Sequence, residues 1–144
     1  MKLLIHIGYP KTASTFLQTV IFNNEENGFV SPWGTQAAIA IEEFVLTNPF
    51  LFDPEYTRQK LMPDIHKAEK EGLIPVLSNE GLVSLNIHSY KNYMADCIAN
   101  RINQAFPDAK ILIMIREQKS MIYSAYKEHI KGNGIVRFVE VRSI

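Results

Sequence analysis

The sequence predicts an α/β protein of three layers, a mostly parallel β-sheet flanked by helices. Three observations predict it. Short, continuously apolar runs recur along the chain, as strands buried on both faces require. Stretches of helical spacing separate these runs, so parallel pairing through crossovers is expected. The runs end on polar residues or glycine, and parallel sheets place ligands at the carboxyl ends of their strands.

The first run is residues 3–7, closed by Gly8 and Pro10. Helical spacing follows over residues 14–22, with Phe16, Leu17, Val20 and Ile21 on one side. Asn27-Gly28 and Ser31-Pro32 mark a loop. A second helix is expected over residues 37–46. It stops before Asn48-Pro49, because the residue before proline is driven out of the helical region. Residues 54–70 read as a third helix, interrupted near Pro63 and terminated by Gly72. Residues 73–77 are the next strand. Residues 90–106 read as a helix with Tyr93, Ile98, Ile102 and Ala105 inward, broken by Pro107-Asp108. Residues 110–115, Lys-Ile-Leu-Ile-Met-Ile, are the clearest strand in the chain. Residues 119–131 form a last helix, stopped by Gly132-Asn133-Gly134. Residues 135–144 alternate like a strand or open another helix. No internal repeat, low-complexity tract or linker divides the chain, so residues 1–144 are expected to form a single domain.

Composition narrows the function classes. The chain has 144 residues, enough to bury about two thirds of the surface its unfolded form exposes. Hydrophobic residues are 47% and charged residues 21%, which is globular rather than disordered. Formal net charge is zero, so neither a nucleic-acid partner nor a membrane partner is expected. A local cluster of donors can still hold a nucleotide. The single cysteine, Cys97, excludes an intrachain disulfide and suits a reducing compartment. It reads as a small core residue on a helix. No apolar run is long enough to span a bilayer. The first eight residues are too short for a signal peptide, so a cytoplasmic location is expected.

Three polar strand ends remain as candidate sites. The first is Gly8-Tyr9-Pro10-Lys11-Thr12-Ala13-Ser14-Thr15, where a strand turns into a helix. The start of a helix offers unpaired amides and partial positive charge, which suits an anion. Lys11 adds a full charge, and Thr12, Ser14 and Thr15 add hydroxyl donors. The spacing is not that of a Walker A loop, because lysine comes early and the second glycine is absent. Nor is it a dinucleotide fingerprint. The bland alternative is a helix capped by Ser14 or Thr12. The second strand end is Ser78-Asn79-Glu80-Gly81. The third is Arg116, with Ser124 and Tyr126 in the helix after it. The planar fork of an arginine suits phosphate.

Pro10-Lys11-Thr12-Ala13-Ser14-Thr15-Phe16-Leu17 resembles the 5′-phosphosulfate loop of sulfotransferases. Ala13 stands where many members have glycine. Arg116 followed by Ser124 resembles the family's arrangement for the donor's 3′-phosphate. Both motifs come in the family's order, each at a strand end. The resemblance implies a P-loop-like fold of the sulfotransferase and nucleotide-hydrolase type. It implies transfer of a sulfuryl group from 3′-phosphoadenosine 5′-phosphosulfate (PAPS) to a hydroxyl or amine of a carbohydrate or small-molecule acceptor, with PAP as product. It assigns the donor contacts to Pro10, Lys11, Thr12, Ala13, Ser14, Thr15, Arg116, Ser124 and Tyr126. Lys11 would also stabilise the leaving oxygen.

A general base must take the acceptor's proton. Glu80 is the first candidate, since many carbohydrate-type members use a glutamate and Ser-Asn-Glu-Gly-Leu resembles the bacterial segment. His88 is the second. His6 reads as a satisfied core histidine, and His66 and His129 as solvent-facing. No His, Cys, Asp or Glu cluster has metal-ligand spacing, so no metal is expected. The family pattern continues into further helices and a Gly-rich, Lys-containing segment, so the resemblance covers nearly all of this chain but the first part of a typical member. A truncated product, a minimal member, or a homodimer that completes its site by pairing is therefore expected, with apolar surface around Phe138 and Val139. Two alternatives stand beside it: a non-catalytic PAP- or partner-binding remnant, and a P-loop-like nucleotide kinase using ATP-Mg. For the acceptor, Trp33, Phe50 and Phe52 are either ring-stacking residues or core.

Overall fold

The computed structural model describes residues 2–8, 12–83 and 94–131. Expectations for Tyr93 and for residues 135–144, Phe138 and Val139 included, lie outside the described residues.

Four strands form one parallel sheet in the order β2-β3-β1-β4. They are β1 (Leu4–Gly8), β2 (Phe29–Val30), β3 (Ile74–Ser78) and β4 (Lys110–Met114). Helices flank the sheet, as the sequence predicts for a three-layer α/β protein. Ile5 of β1 faces Leu77 of β3 and Ile111 of β4 in register. The chain leaves β1 toward β2 on one side and reaches β4 on the other. Strand order therefore reverses about β1, and the crevice at such a reversal is where open α/β sheets bind ligands.

The apolar runs become strands because burial demands it: Leu3, Ile5, Val76 and Leu77 are essentially inaccessible. β2 is a strand that the sequence hides. Two residues between Asn27-Gly28 and Ser31-Pro32 carry too short a pattern to separate from a loop. β4 differs from β3 in exposure. It is one of the two outer strands among those described, and Ile111 and Ile113 are half exposed.

The helices keep their places but two change character. α1 (Ser14–Phe16) runs on as a π-wound turn, Leu17–Ile21. Its inward face is not the apolar one that spacing suggests. Ser14, Gln18 and Phe22 are buried, while Phe16 and Val20 are about half exposed, at 55% and 48%. The polar side chains turn inward because buried polar partners wait there, as described below. α2 (Ala38–Ile41) likewise continues as a π-wound turn, Glu42–Leu46, burying Ala40, Phe44 and Val45.

α3 (Pro54–Lys70) is one unbroken helix. Asp53 caps it by accepting from the amides of Glu55 and Tyr56 at 2.9 and 3.2 Å, and Pro54 fills the first turn. The expected interruption at Pro63 does not occur. Pro63 is exposed, and the carbonyl it orphans, that of Gln59, is on an exposed residue too, so water can satisfy it. The opposite stripe of Thr57, Leu61, Ile65 and Ala68 holds the helix to the core. Gly72, at φ +76°, ends the helix in the left-handed conformation that favours glycine.

α4 (Ala95–Ala105) buries Ile98, Arg101, Ile102 and Ala105. Arg101 donates to the carbonyl of Phe44 at 2.9 Å, and its guanidinium lies 5.1 Å from the centre of the Phe52 ring. Cys97, on the same helix, is half-buried rather than a core residue. α5 (Gln118–Lys131) follows β4. Among the described residues no helix is long and apolar enough to cross a membrane.

Candidate functional site

Three strand ends meet at one edge of the sheet. Gly8, the last residue of β1, pairs with Met114 of β4, while His6 pairs with Ser78 of β3. The end of β1 is thus flanked by the end of β3, which leads to the Glu80 turn, on one side and by the end of β4, which leads to Arg116, on the other. Pro10, Lys11 and His88 lie outside the described residues.

Thr12, Ala13, Ser14 and Thr15 lead into α1. Ala13 stands immediately before the helix in the left-handed conformation, φ 65° and ψ 20°. It is the only non-glycine residue with positive φ among those described. A side chain costs about 1–2 kcal/mol in that region, which explains why glycine suits the position. The carbonyl of Ala13 accepts from the amides of Phe16 and Leu17, at 3.0 and 3.3 Å. No acceptor for the amides of Ser14 and Thr15 is present among the described residues, as is usual in a first helical turn. Neither Thr12 nor Ser14 caps the helix. Their hydroxyls lie 3.2 Å from each other, and both residues are buried. Thr15 is exposed.

At Gly8 space is tight, and φ is not in the left-handed region. A Cβ there would stand 3.3 Å from Met114 Cβ, 3.5 Å from Thr12 Oγ1 and 3.6 Å from His6 Nε2. His6, read from the sequence as a satisfied core histidine, is only half satisfied. Its Nδ1 lies 2.7 Å from Ser78 Oγ, and Gln18 Nε2 donates to that same oxygen at 3.0 Å. Its Nε2 is buried with no partner among the described residues. All three residues are at or below 1% exposure, which makes this the most deeply buried polar cluster near any strand end. Burial holds the imidazole pKa below its ordinary 6.5, so the ring is neutral. Sequence reasoning missed Gln18. The signal was its i, i+4 spacing from Ser14, which puts both on one helix face.

Glu80 opens a short 3₁₀ turn, Glu80–Leu82, that packs against β1. Asn79 fixes the turn. Its Oδ1 accepts from the amide of Gly81 at 2.8 Å, and its Nδ2 donates to the carbonyl of Ala37 at 3.2 Å. The Asn79 amide also donates to the carbonyl of His6 at 3.2 Å, tying this turn to β1. Glu80 is half-buried, and its carboxylate has no hydrogen-bond or ion-pair partner among the described residues. It can accept a proton without first breaking a bond.

Arg116 leaves β4 exposed, and its Nε donates to Ser120 Oγ at 3.0 Å. Ser120, not Ser124, is the first hydroxyl it meets. Ser124 lies one turn further along the same face and is half-buried, as is Tyr126. The i, i+4 series of 116, 120 and 124 was the legible signal for Ser120. Glu117 caps α5 by accepting from the amides of Ser120 and Lys119 at 2.7 and 2.8 Å. Those two bonds, with the Arg116 charge nearby, hold its carboxyl below the usual range.

The aromatic residues divide. Trp33 and Phe52 pack against the core, while Phe50 is 96% exposed. His66 is exposed, and the side chain of His129 lies outside what is described. Among the described residues no group of three or more His, Cys, Asp or Glu could hold a metal ion. Compared with models of known families, with curated proteins and with solved structures, the chain matches none.

Proposed function

We propose that the chain binds PAPS and transfers its sulfuryl group to a hydroxyl or amine of a carbohydrate or small-molecule acceptor. One observation carries this reading. The carboxylate, the loop and the arginine that the motifs single out follow β3, β1 and β4 respectively, three adjacent strands whose ends share one edge of the sheet. A loop for one phosphate thus sits beside an arginine for a second. Two phosphates on one ribose, 5′ and 3′, are what separate this donor from ordinary adenine nucleotides.

The residues divide the work as follows. The amides of Ser14 and Thr15 and the hydroxyl of Ser14, with Thr12 bonded beside it, hold the 5′-phosphate. Arg116, with Ser120 and Ser124 along one helix face and Tyr126 nearby, holds the 3′-phosphate. Lys11, by its place in the motif, neutralises charge on the leaving oxygen, a contribution typically worth a few kcal/mol. Glu80 takes the acceptor's proton as the acceptor oxygen or nitrogen attacks sulfur. The bond from sulfur to the 5′-phosphate oxygen breaks with its electron pair on that oxygen, and PAP leaves. The transition state is loose and spreads charge over the transferred group, by analogy with phosphoryl transfer.

Assay with PAPS and a panel of hydroxyl and amine acceptors tests the reaction. PAP release that depends on an acceptor is expected. PAP binding with no turnover on any acceptor would leave a donor-binding protein. Preference for ATP-Mg over PAP would replace the proposal with a kinase.

A further inference from the structure

Three buried nitrogens lack a hydrogen-bond partner among the described residues: His6 Nε2, Trp33 Nε1 and Arg101 Nη2. Only His6 borders the loop after β1. Its ring is tied from behind. Gln18 donates to one lone pair of Ser78 Oγ, and that hydroxyl's own proton needs an acceptor. His6 Nδ1, 2.7 Å away, is the acceptor in reach among the described residues. A nitrogen that accepts carries no proton, so the neutral ring carries its proton on Nε2. That N–H faces the space over Gly8, which Thr12 Oγ1 also borders. Thr12 Oγ1 in turn lies 3.2 Å from Ser14 Oγ.

We propose that His6 is a positioning residue for the anion loop: its Nε2–H closes onto Thr12 Oγ1 when an anion is bound, and so directs the Ser14 hydroxyl outward as a donor. This rests on the loop being an anion site, as proposed above. The polarity runs one way. Gln18 donates to Ser78, Ser78 donates to Nδ1, and Nε2–H donates to Thr12. Thr12 donates to Ser14, which leaves the Ser14 proton for the anion. An anion accepts only, so a hydroxyl that faced it with a lone pair would repel it. A buried donor beside Thr12 fixes that choice as the ligand binds. It also resolves why an apolar sheet tolerates a buried imidazole with one unpaired nitrogen, a group that costs stability unless function uses it.

The test uses His6→Asn and His6→Gln in the full chain. Asparagine keeps a polar atom near Nδ1 but has nothing at Nε2, whereas the glutamine amide reaches the Nε2 position. Inorganic pyrophosphate is the probe, because it engages the loop without needing Arg116. His6→Asn should weaken pyrophosphate by about fivefold to tenfold, the size of one neutral hydrogen bond, and His6→Gln should restore most of it. Imidazole ¹⁵N shifts of the unsubstituted protein should show the proton on Nε2. Equal pyrophosphate affinity in all three proteins, a proton on Nδ1, or no pyrophosphate binding at all would overturn the proposal. Failure of the donor assignment looks different. PAP would then bind no better than AMP, while the contrast between the two variants on pyrophosphate would persist.

Discussion

At the end of β1 the polar side chains are buried and bonded to one another; at the end of β4 they stand in water. His6, Gln18, Ser78, Thr12 and Ser14 are all under 7% exposed. Arg116, Glu117 and Lys119 are exposed, and the helix they introduce is capped by a carboxylate at its surface. The first end is organised before any ligand arrives, since its dipoles have nowhere else to turn. The second is a charged fork in high dielectric that gains strength only when a ligand excludes water. A donor with two phosphates would find one of them held by geometry and the other by charge. The β1 end should therefore govern turnover and the β4 end should govern selection among nucleotides.

The largest effect is expected at the proposed base, Glu80, in the turn that packs beside the β1 end. Glu80→Gln should lower acceptor-dependent turnover by about 10²–10⁴-fold and leave PAP affinity unchanged. Loss of PAP affinity in that variant would return Glu80 to a structural role in its turn. Lys11→Ala should reduce turnover by roughly two orders of magnitude. Near-normal turnover would remove Lys11 from the reaction.

Ala13→Gly relieves the left-handed backbone at the buried end. It should raise unfolding free energy by about 0.5–1 kcal/mol, read by thermal or urea unfolding. No gain would mean that the chain's flexibility when unfolded offsets the strain.

The smallest expected effect is the proton linkage of His6. Its folded pKa lies below the unfolded 6.5, so between the two values the unfolded chain binds more protons. Stability should then fall as pH drops below about 6.5, and His6→Gln should remove that part of the slope. An unchanged slope would place the titration elsewhere.

Much of the architecture was legible because burial on both faces writes a simple pattern. The runs around Ile5, Val76 and Leu112 announce strands, and the stretch from Pro54 to Lys70 announces a helix. Legibility failed where a short or polar segment follows tertiary rather than local demands. Phe29-Val30 is too brief to show a period. Pro63 is harmless because its side of α3 faces water. Most telling is α1: apolar spacing points Phe16 and Val20 inward, yet Ser14 and Gln18 are the buried ones. No one-dimensional pattern shows that a serine hydroxyl and an imidazole wait across the sheet. The same blindness hid Gln18 and the unpaired side of His6. The candidate residues Thr12, Ser14, Glu80 and Arg116 were legible because strand ends and motif order identify them, and the adjacency of β3, β1 and β4 was not.

Calorimetric titration with PAP, with AMP and ATP-Mg as controls, tests the central claim most directly. PAP should bind at least about tenfold tighter than AMP, the worth of a charged hydrogen bond or more, and Arg116→Ala should abolish that margin while leaving AMP unchanged. Equal binding of PAP and AMP, or a margin that survives Arg116→Ala, would contradict a two-phosphate site spanning the ends of β1 and β4.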